Sequence, residues 1–416
     1  MTPSADTRRR LPFFALLAVI GPGVIAASAG NDAGGISTYS VAGAKYGYAM
    51  LWMMLAMTPS FMIVQEMAGR MGAVTGKGFS ALIRERFGVR LTFGAMLMLL
   101  VSTAATTVAE FAGIAAAMEI FGVPRWVSVP IGAFVVWLLV VRGSYRRVEK
   151  VLLALSSVFI AYVIAAFLAG PDWLEVGRSF VVPQVIPDRV FIALAIGLTG
   201  TTIAPWMQFL LQSNIVDKGV TAKEWSLARW DTMVGAFVAN LIACFIIITT
   251  ATVLHPQGIE ITGAEDAARA LAPLAGPYAE LLFSIGLLSA SVLAAAVLPL
   301  TSAYAICEAF GWESGLDRSW AEAPLFNGLY TFVIVAAAAV VLLPGLDLIG
   351  IMLVSQVLNG MLLPFLLIFM MVIVNDRTVM GRHVNSALNN LLAWTTIVVV
   401  ITLTAALLFM TLLGIG

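Results

Sequence analysis

The chain has 416 residues, 61% of them apolar and only 11% charged, with a formal net charge of zero. Soluble chains are about 25% charged, so this composition excludes a soluble enzyme and a nucleic-acid-binding protein and points to a polytopic helical membrane protein. In chain order, the predicted spans cover residues 12–40, 46–69, 91–121, 125–142, 149–169, 189–213, 231–254, 278–306, 325–343, 346–374 and 388–414, eleven in all. The longest polar connections, 171–188 and 255–270, leave no room for a soluble domain, so residues 1–416 read as one transmembrane domain. The first apolar run has no small-residue cleavage site and leads directly into further spans, so it reads as a retained helix.

With the N-terminus placed in the cytoplasm, eighteen of the 23 Lys and Arg fall on the inner side, and only Lys45, Arg125, Arg178, Arg189 and Arg269 lie outside. This obeys the positive-inside rule and agrees with an odd number of spans in a cell membrane. Cys244 and Cys307 lie in or at the end of apolar spans and imply neither a disulfide framework nor a zinc site. His255 and His383 lie in loops. The sequence holds no HExxH, Walker, dinucleotide or GxSxG pattern, so an enzyme and a bound cofactor are not expected.

The first span stops reading as a helix within GPGVIAASAGNDAGGIST (Gly21–Thr38), where Asp32 precedes Gly34 and Gly35. A carboxylate at the bilayer centre costs roughly 2.5–3.5 kcal/mol on insertion scales, and each Gly weakens a helix by about 1 kcal/mol relative to Ala. The sixth span, LTGTTIAPWMQFLLQSNIVDKG (Leu198–Gly219), is interrupted by Gly200 and Pro205, with Thr201, Thr202 and Gln208 alongside. Two interrupted helices at matching positions of two halves are the sign of an inverted repeat with its site at the breaks. The expected halves are 12–169 (spans 1–5) and 189–374 (spans 6–10), followed by an extra span at 388–414. Unwound backbone frees carbonyl oxygens, and with Asp32 they are suited to hold a cation at mid-membrane.

At these residues the sequence resembles the Nramp family of divalent-metal transporters, over roughly residues 12–375. The family's first-helix Asp-Pro-Gly-Asn motif is matched by Asp32-Ala33-Gly34-Gly35 after Gly21-Pro22. QEMAGRMGAVTGK (Gln65–Lys77), TTVAEFAG (Thr106–Gly113) and SQVLN (Ser355–Asn359) are similar to further family segments. The departures are as informative. The sixth-helix Met-Pro-His becomes Ala204-Pro205-Trp206, the first-helix Asn becomes Gly35, and a span-3 aspartate tied to proton movement becomes Thr107. This pattern resembles the branch of Nramp-related magnesium transporters. The resemblance implies a LeuT-type fold and transport of Mg2+, with Mn2+ as a further substrate, without proton coupling. It also implies a metal site at Asp32, the carbonyls of Ala29 and Thr201, the positions Gly35 and Ala204, and Gln356. A functional monomer is expected.

The residue chemistry agrees with that implication. Magnesium takes oxygen ligands in near-octahedral geometry and sheds water reluctantly, whereas thioethers favour softer metals. Ala204 and Gly35 both enlarge the site. Gln356 and Gln208 are candidates to hydrogen-bond the hydration shell, and Trp206 is either a cavity wall or a packed aromatic. Glu110 either lines the ion path or makes a buried structural hydrogen bond. Glu66 and Arg70, four residues apart, are expected to pair on the cytoplasmic side, and Glu149 near Arg146 is expected to be structural or a gate contact. Met96, Met98, Met361, Met370 and Met371 read as filler, and Glu260, Glu265 and Asp266 as a solvated loop. Three alternatives stay open: a proton-coupled Mn2+ or Fe2+ transporter of ordinary Nramp type, a sodium-coupled organic-solute transporter of the same fold, and an intramembrane enzyme or non-transporting sensor, for which Glu110 is the one second catalytic group the sequence offers near Asp32.

Overall fold

The computed structural model describes residues 31–141, 160–315 and 318–414. Its main helices are α1 (Ala33–Tyr46), α2 (Leu51–Thr75), α3 (Phe79–Glu119), α4 (Arg125–Val141), α5 (Ile160–Ala169), α6 (Trp173–Val181) and α7 (Arg189–Thr202). They continue with α8 (Pro205–Asp217), α9 (Trp225–Val253), α10 (Ala279–Phe310), α11 (Pro324–Val341), α12 (Leu348–Val374) and α13 (Ala387–Leu413). In its described residues each of the eleven predicted spans overlaps a helix, and the sixth overlaps two, α7 and α8; residues 12–30 of the first span and 149–159 of the fifth lie outside the described residues. Among the described residues, seven helical segments are long and apolar enough to cross a membrane. Gly21, Pro22, Ala29, Arg146 and Glu149 lie outside the described residues.

The interruptions have local causes. Asp32, in extended backbone, caps α1 by accepting a hydrogen bond from the Gly35 amide at 2.6 Å. Between α7 and α8 the chain leaves helical geometry at Ile203 and Ala204, and Pro205 takes the first turn of α8, where its missing N–H costs nothing. In α3, Gly88 adopts φ 75° and ψ 178°, which only glycine takes readily. Residues 79–87 therefore form a separate helix leading into the predicted span. The connection at 171–188 also contains a helix that periodicity overlooked, α6, capped by Asp172 through the amides of Leu174 and Glu175.

α10 packs along α3, and α12 packs on both α3 and α7. On the other side, α9 packs on α1, α2 and α5, and α8 packs on α2. Buried apolar side chains fall into two main clusters. Along α1, α2, α3, α9 and α12 one holds Ala33, Met57, Ala109, Ala243 and Met352; the other holds Phe61, Leu99, Ala239 and Leu363. Between them lies a waist of buried polar residues: Asn31 and Asp32, Ser102, Thr103, Thr106 and Thr107, Thr199, Thr201 and Thr202, Asn240, and Ser355, Gln356 and Asn359. Polar groups at this depth cost free energy unless paired or functional, and both helix breaks lie at this level. The outer faces of α4, α11 and α13 carry exposed Phe134, Phe332, Val398 and Leu408, as a lipid-facing surface requires.

Candidate metal site at the helix breaks

Asp32 is 2% exposed and stands at the N-terminus of α1. Two donors converge on its Oδ1: the Gly35 amide, and Gln356 Nε2 of α12 at 3.3 Å. Gly34 makes the second contact possible, because a β-carbon there would lie 2.0 Å from Gln356 Nε2. One residue further, the Ala33 amide donates to Glu110 Oε2 of α3 at 3.2 Å. Two carboxylates thus flank the first turn of α1. The positive end of the helix dipole partly compensates them, and a divalent cation would compensate them fully. Glu110 Oε1 is buried and finds no hydrogen-bond partner among the described residues.

The second break faces this turn. Gly200 of α7 packs so closely on α12 that a β-carbon would lie 2.2 Å from both the Gln356 carbonyl oxygen and the Gly360 amide. Thr201 and Thr202 sit in the last turn of α7, where helix carbonyls lack intrahelical donors. Thr202 Oγ1 meets the Tyr39 hydroxyl of α1 at 3.2 Å. The Thr201 hydroxyl and Trp206 Nε1 are buried without a hydrogen-bond partner among the described residues. Asn31, Tyr39, Thr201, Thr202, Met207 and Asn240 line a cavity of about 10 Å³ beside the breaks, close to the space one water needs.

The structure brings Asp32, Gly35, Gln356 and Glu110 together directly. Thr201 and Ala204 lie at the facing break. Ala204 is the N-cap of α8, and its carbonyl accepts from the Met207 amide at 3.1 Å. In the amide orientation its surroundings satisfy, Gln208 turns back on the same break, its nitrogen 2.7 Å from the Ala204 oxygen and 2.6 Å from the Pro205 oxygen. Trp206 is fully buried. Thr107 is buried on α3, its hydroxyl donated to the Thr103 carbonyl of its own helix at 2.6 Å. Met207 lines the cavity, and its sulfur accepts from Gln65 at 3.5 Å. With Pro205 opening α8, this places Ala204 and not a methionine at the break. The sequence reading missed Ser102 and Asn359, buried neighbours of Gln356 and Thr106. Glu66 and Arg70 pair as expected, at 3.1 Å.

Among the described residues no group of three His, Cys, Asp or Glu side chains could hold a metal ion. An ion placed at these breaks would meet at most two carboxylates, Asp32 and Glu110, with amide, hydroxyl and carbonyl groups around them. Residues 23–410 match the family model described as Nramp, natural resistance-associated macrophage protein-like. The chain belongs to the Nramp family. Similar relatives include the divalent metal cation transporter MntH of Deinococcus radiodurans, 29% identical over 97% of this chain and 90% of that protein. MntH of Burkholderia ambifaria is 28% identical over 96% and 90%. A manganese transporter of Eremococcus coleocola superposes with a TM-score of 0.75 at 22% identity, covering 98% of this chain and 88% of that one. Mhp1, a nucleobase-cation-symport-1 family transporter, gives 0.59 at 15% identity, covering 94% and 92%. As an Nramp protein the chain is an all-α, LeuT-type multi-pass transporter of divalent metal ions, not an enzyme, and the metal is cargo, not cofactor.

Proposed function

We propose that this Nramp protein imports Mg2+, and Mn2+ with it, into the cell by alternating access and without proton coupling. The observation that carries the reading is the chemistry around Asp32: carboxylate, amide and hydroxyl groups, with Ala204 at the break and the Met207 sulfur engaged by Gln65. Hard oxygen donors with few carboxylates suit an ion that keeps several waters. In this reading Asp32 is the protein's charged ligand, the carbonyls of Ala29 and Thr201 contribute oxygens directly or through water, and Gln356 holds Asp32 in place. Spans 1–5 and 6–10 act as the two repeats, and a bundle built on the broken helices rocks against the remaining helices. The N-terminus lies in the cytoplasm, on the side rich in Lys and Arg, and one chain forms the whole path.

A proton is not needed as a driver. One elementary charge crossing 100 mV is worth about 2.3 kcal/mol, so a divalent cation gains roughly 4.6 kcal/mol, more than a thousandfold accumulation. Thr107 and Trp206 occupy two positions of the family's proton route without a group that titrates near neutrality, and the Thr107 hydroxyl is committed to its own helix. One observation favours the second reading, a proton-coupled manganese or iron transporter: Glu110 is a buried carboxylate with one oxygen unpartnered among the described residues.

Uptake into proteoliposomes containing a pH dye separates the two. Mg2+ entry without acidification is expected. Acidification that tracks metal entry would favour the second reading, with Glu110 the first residue to replace.

A further inference from the structure

Asn359 of α12 is fully buried in the polar waist, one turn from Gln356, and every polar atom of its amide is engaged. Ser102 donates to its Oδ1 at 2.5 Å. Its Nδ2 donates to Thr106 Oγ1 at 2.9 Å and to Gln356 Oε1 at 3.1 Å. The direction of this chain follows from the hydroxyls. Thr106 gives its only proton to the Ser102 carbonyl at 2.9 Å, so toward Asn359 it is an acceptor. The group facing it must be the Asn359 NH2. That NH2 also faces Gln356, so Gln356 presents its oxygen to Asn359 and its NH2 to Asp32 Oδ1.

The geometry points to Asn359 as a positioning residue that keeps Gln356 from ligating the metal. With its NH2 toward Asp32 and its oxygen turned to Asn359, the Gln356 amide presents a donor, not an acceptor, on the side of Asp32. It clamps Oδ1, together with the Gly35 amide, and Oδ2 is the carboxylate oxygen left for the ion. The site therefore contributes one carboxylate oxygen here and leaves the ion's remaining positions to water and backbone oxygens, which suits a cation that dehydrates reluctantly. This rests on the proposed substrate reading and explains how the chain would spare a hydrated ion despite a glutamine within reach.

The lock can be inverted. Asn359→Asp offers only acceptors, so Gln356 must turn its NH2 toward residue 359 and its oxygen toward Asp32 and the ion. Asn359→Leu removes the donor without adding charge and leaves Gln356 Oε1 seeking the ion. Either change adds an inner ligand and favours Mn2+, which gives up water more readily, over Mg2+. Outer partners of metal sites alter affinity by about 10–100-fold. The test is calorimetric titration of Mn2+ and Mg2+ into purified full-length wild type, Asn359→Asp, Asn359→Leu, Gln356→Leu and the double variant Asn359→Asp with Gln356→Leu, each checked for a monodisperse fold.

The expected result is a Mn2+:Mg2+ affinity ratio raised about tenfold by Asn359→Asp and by Asn359→Leu. Gln356→Leu alone weakens both metals and leaves the ratio near wild type, and combined with Asn359→Asp it erases the gain. A purely structural role would lower stability and leave the ratio unmoved. The proposal is overturned if folded Asn359→Leu keeps the wild-type ratio, or if Gln356→Leu alone changes that ratio about tenfold, which would make Gln356 a ligand already. Should Asn359→Asp fail to fold, Asn359→Leu decides. Should wild type bind Mn2+ but no Mg2+, the substrate reading fails separately, and the lock is judged by whether Asn359→Leu tightens Mn2+.

Discussion

Gln356 Nε2 occupies the place where a β-carbon on Gly34 would stand, 2.0 Å away, and from there reaches Asp32 Oδ1 at 3.3 Å. A glycine that reads in the sequence as a helix weakener is thus the slot through which α12 touches the carboxylate of α1.

Gly34→Ala is therefore expected to push the Gln356 amide aside while the chain still folds, since the far end of a flexible side chain moves easily. Metal affinity should fall about tenfold or more, as when an outer partner of a metal ligand is lost. Transport measured against metal concentration reports this as a raised KM. An unchanged KM would show that Gln356 does not hold Asp32.

Gly200→Ala should behave differently. Its β-carbon would meet the Gln356 carbonyl oxygen and the Gly360 amide, both backbone atoms, at 2.2 Å. No rotamer relieves that contact, so α7 and α12 must separate. Overpacking of this kind costs about 1–3 kcal/mol, read as a lower melting temperature in detergent. A wild-type melting temperature would mean that the two helices have slack at this crossing.

Much of this was legible in the sequence. Asp32 beside Gly34 and Gly35, and Gly200 near Pro205, stand out because a carboxylate and helix breakers in apolar spans have no cheap structural explanation. The spans were legible for the same reason: lipid tolerates few polar residues. The Asn359 lock was not. Ser102, Thr106 and Asn359 are each ordinary polar residues on long helices, and 253 residues separate Thr106 from Asn359. Only the packing of α12 on α3 joins them. Helix α6 did carry a local signal, Asp172 followed three residues later by Glu175, but in a connection too short and polar to read as a span.

The buried ion pair of α2 has its own consequence. Glu66 and Arg70 are both buried, and the Arg70 guanidinium also reaches the His383 carbonyl and Asn385 Oδ1 ahead of α13. Arg229 approaches Glu66 more loosely, at 3.6 Å. Arg70→Ala leaves buried Glu66 with only Arg229 and Trp225 Nε1, at 3.5 Å, and is expected to cost up to about 3–5 kcal/mol. Glu66→Gln combined with Arg70→Met should recover a large part of that loss. Thermal unfolding of the single and double variants checks it, and equal destabilisation by both would count against a charge effect.

Selectivity should respond to the two enlarged positions. Gly35→Asn with Ala204→Met returns an amide and a sulfur to the breaks. The pair is expected to shift preference toward Mn2+ by about tenfold or more, because thioether ligands favour softer metals. Competition of Mg2+ against Mn2+ uptake measures the shift. Undiminished Mg2+ competition would mean that neither position faces the ion.

The most direct measurement is a titration of Mg2+ into purified wild type and Asp32→Ala, both shown to be folded and monodisperse. Saturable Mg2+ binding to wild type at millimolar concentrations or below is expected, and none to Asp32→Ala. Wild type that binds Mn2+ but shows no Mg2+ binding in that range, or Asp32→Ala that binds Mg2+ as wild type does, would contradict that expectation.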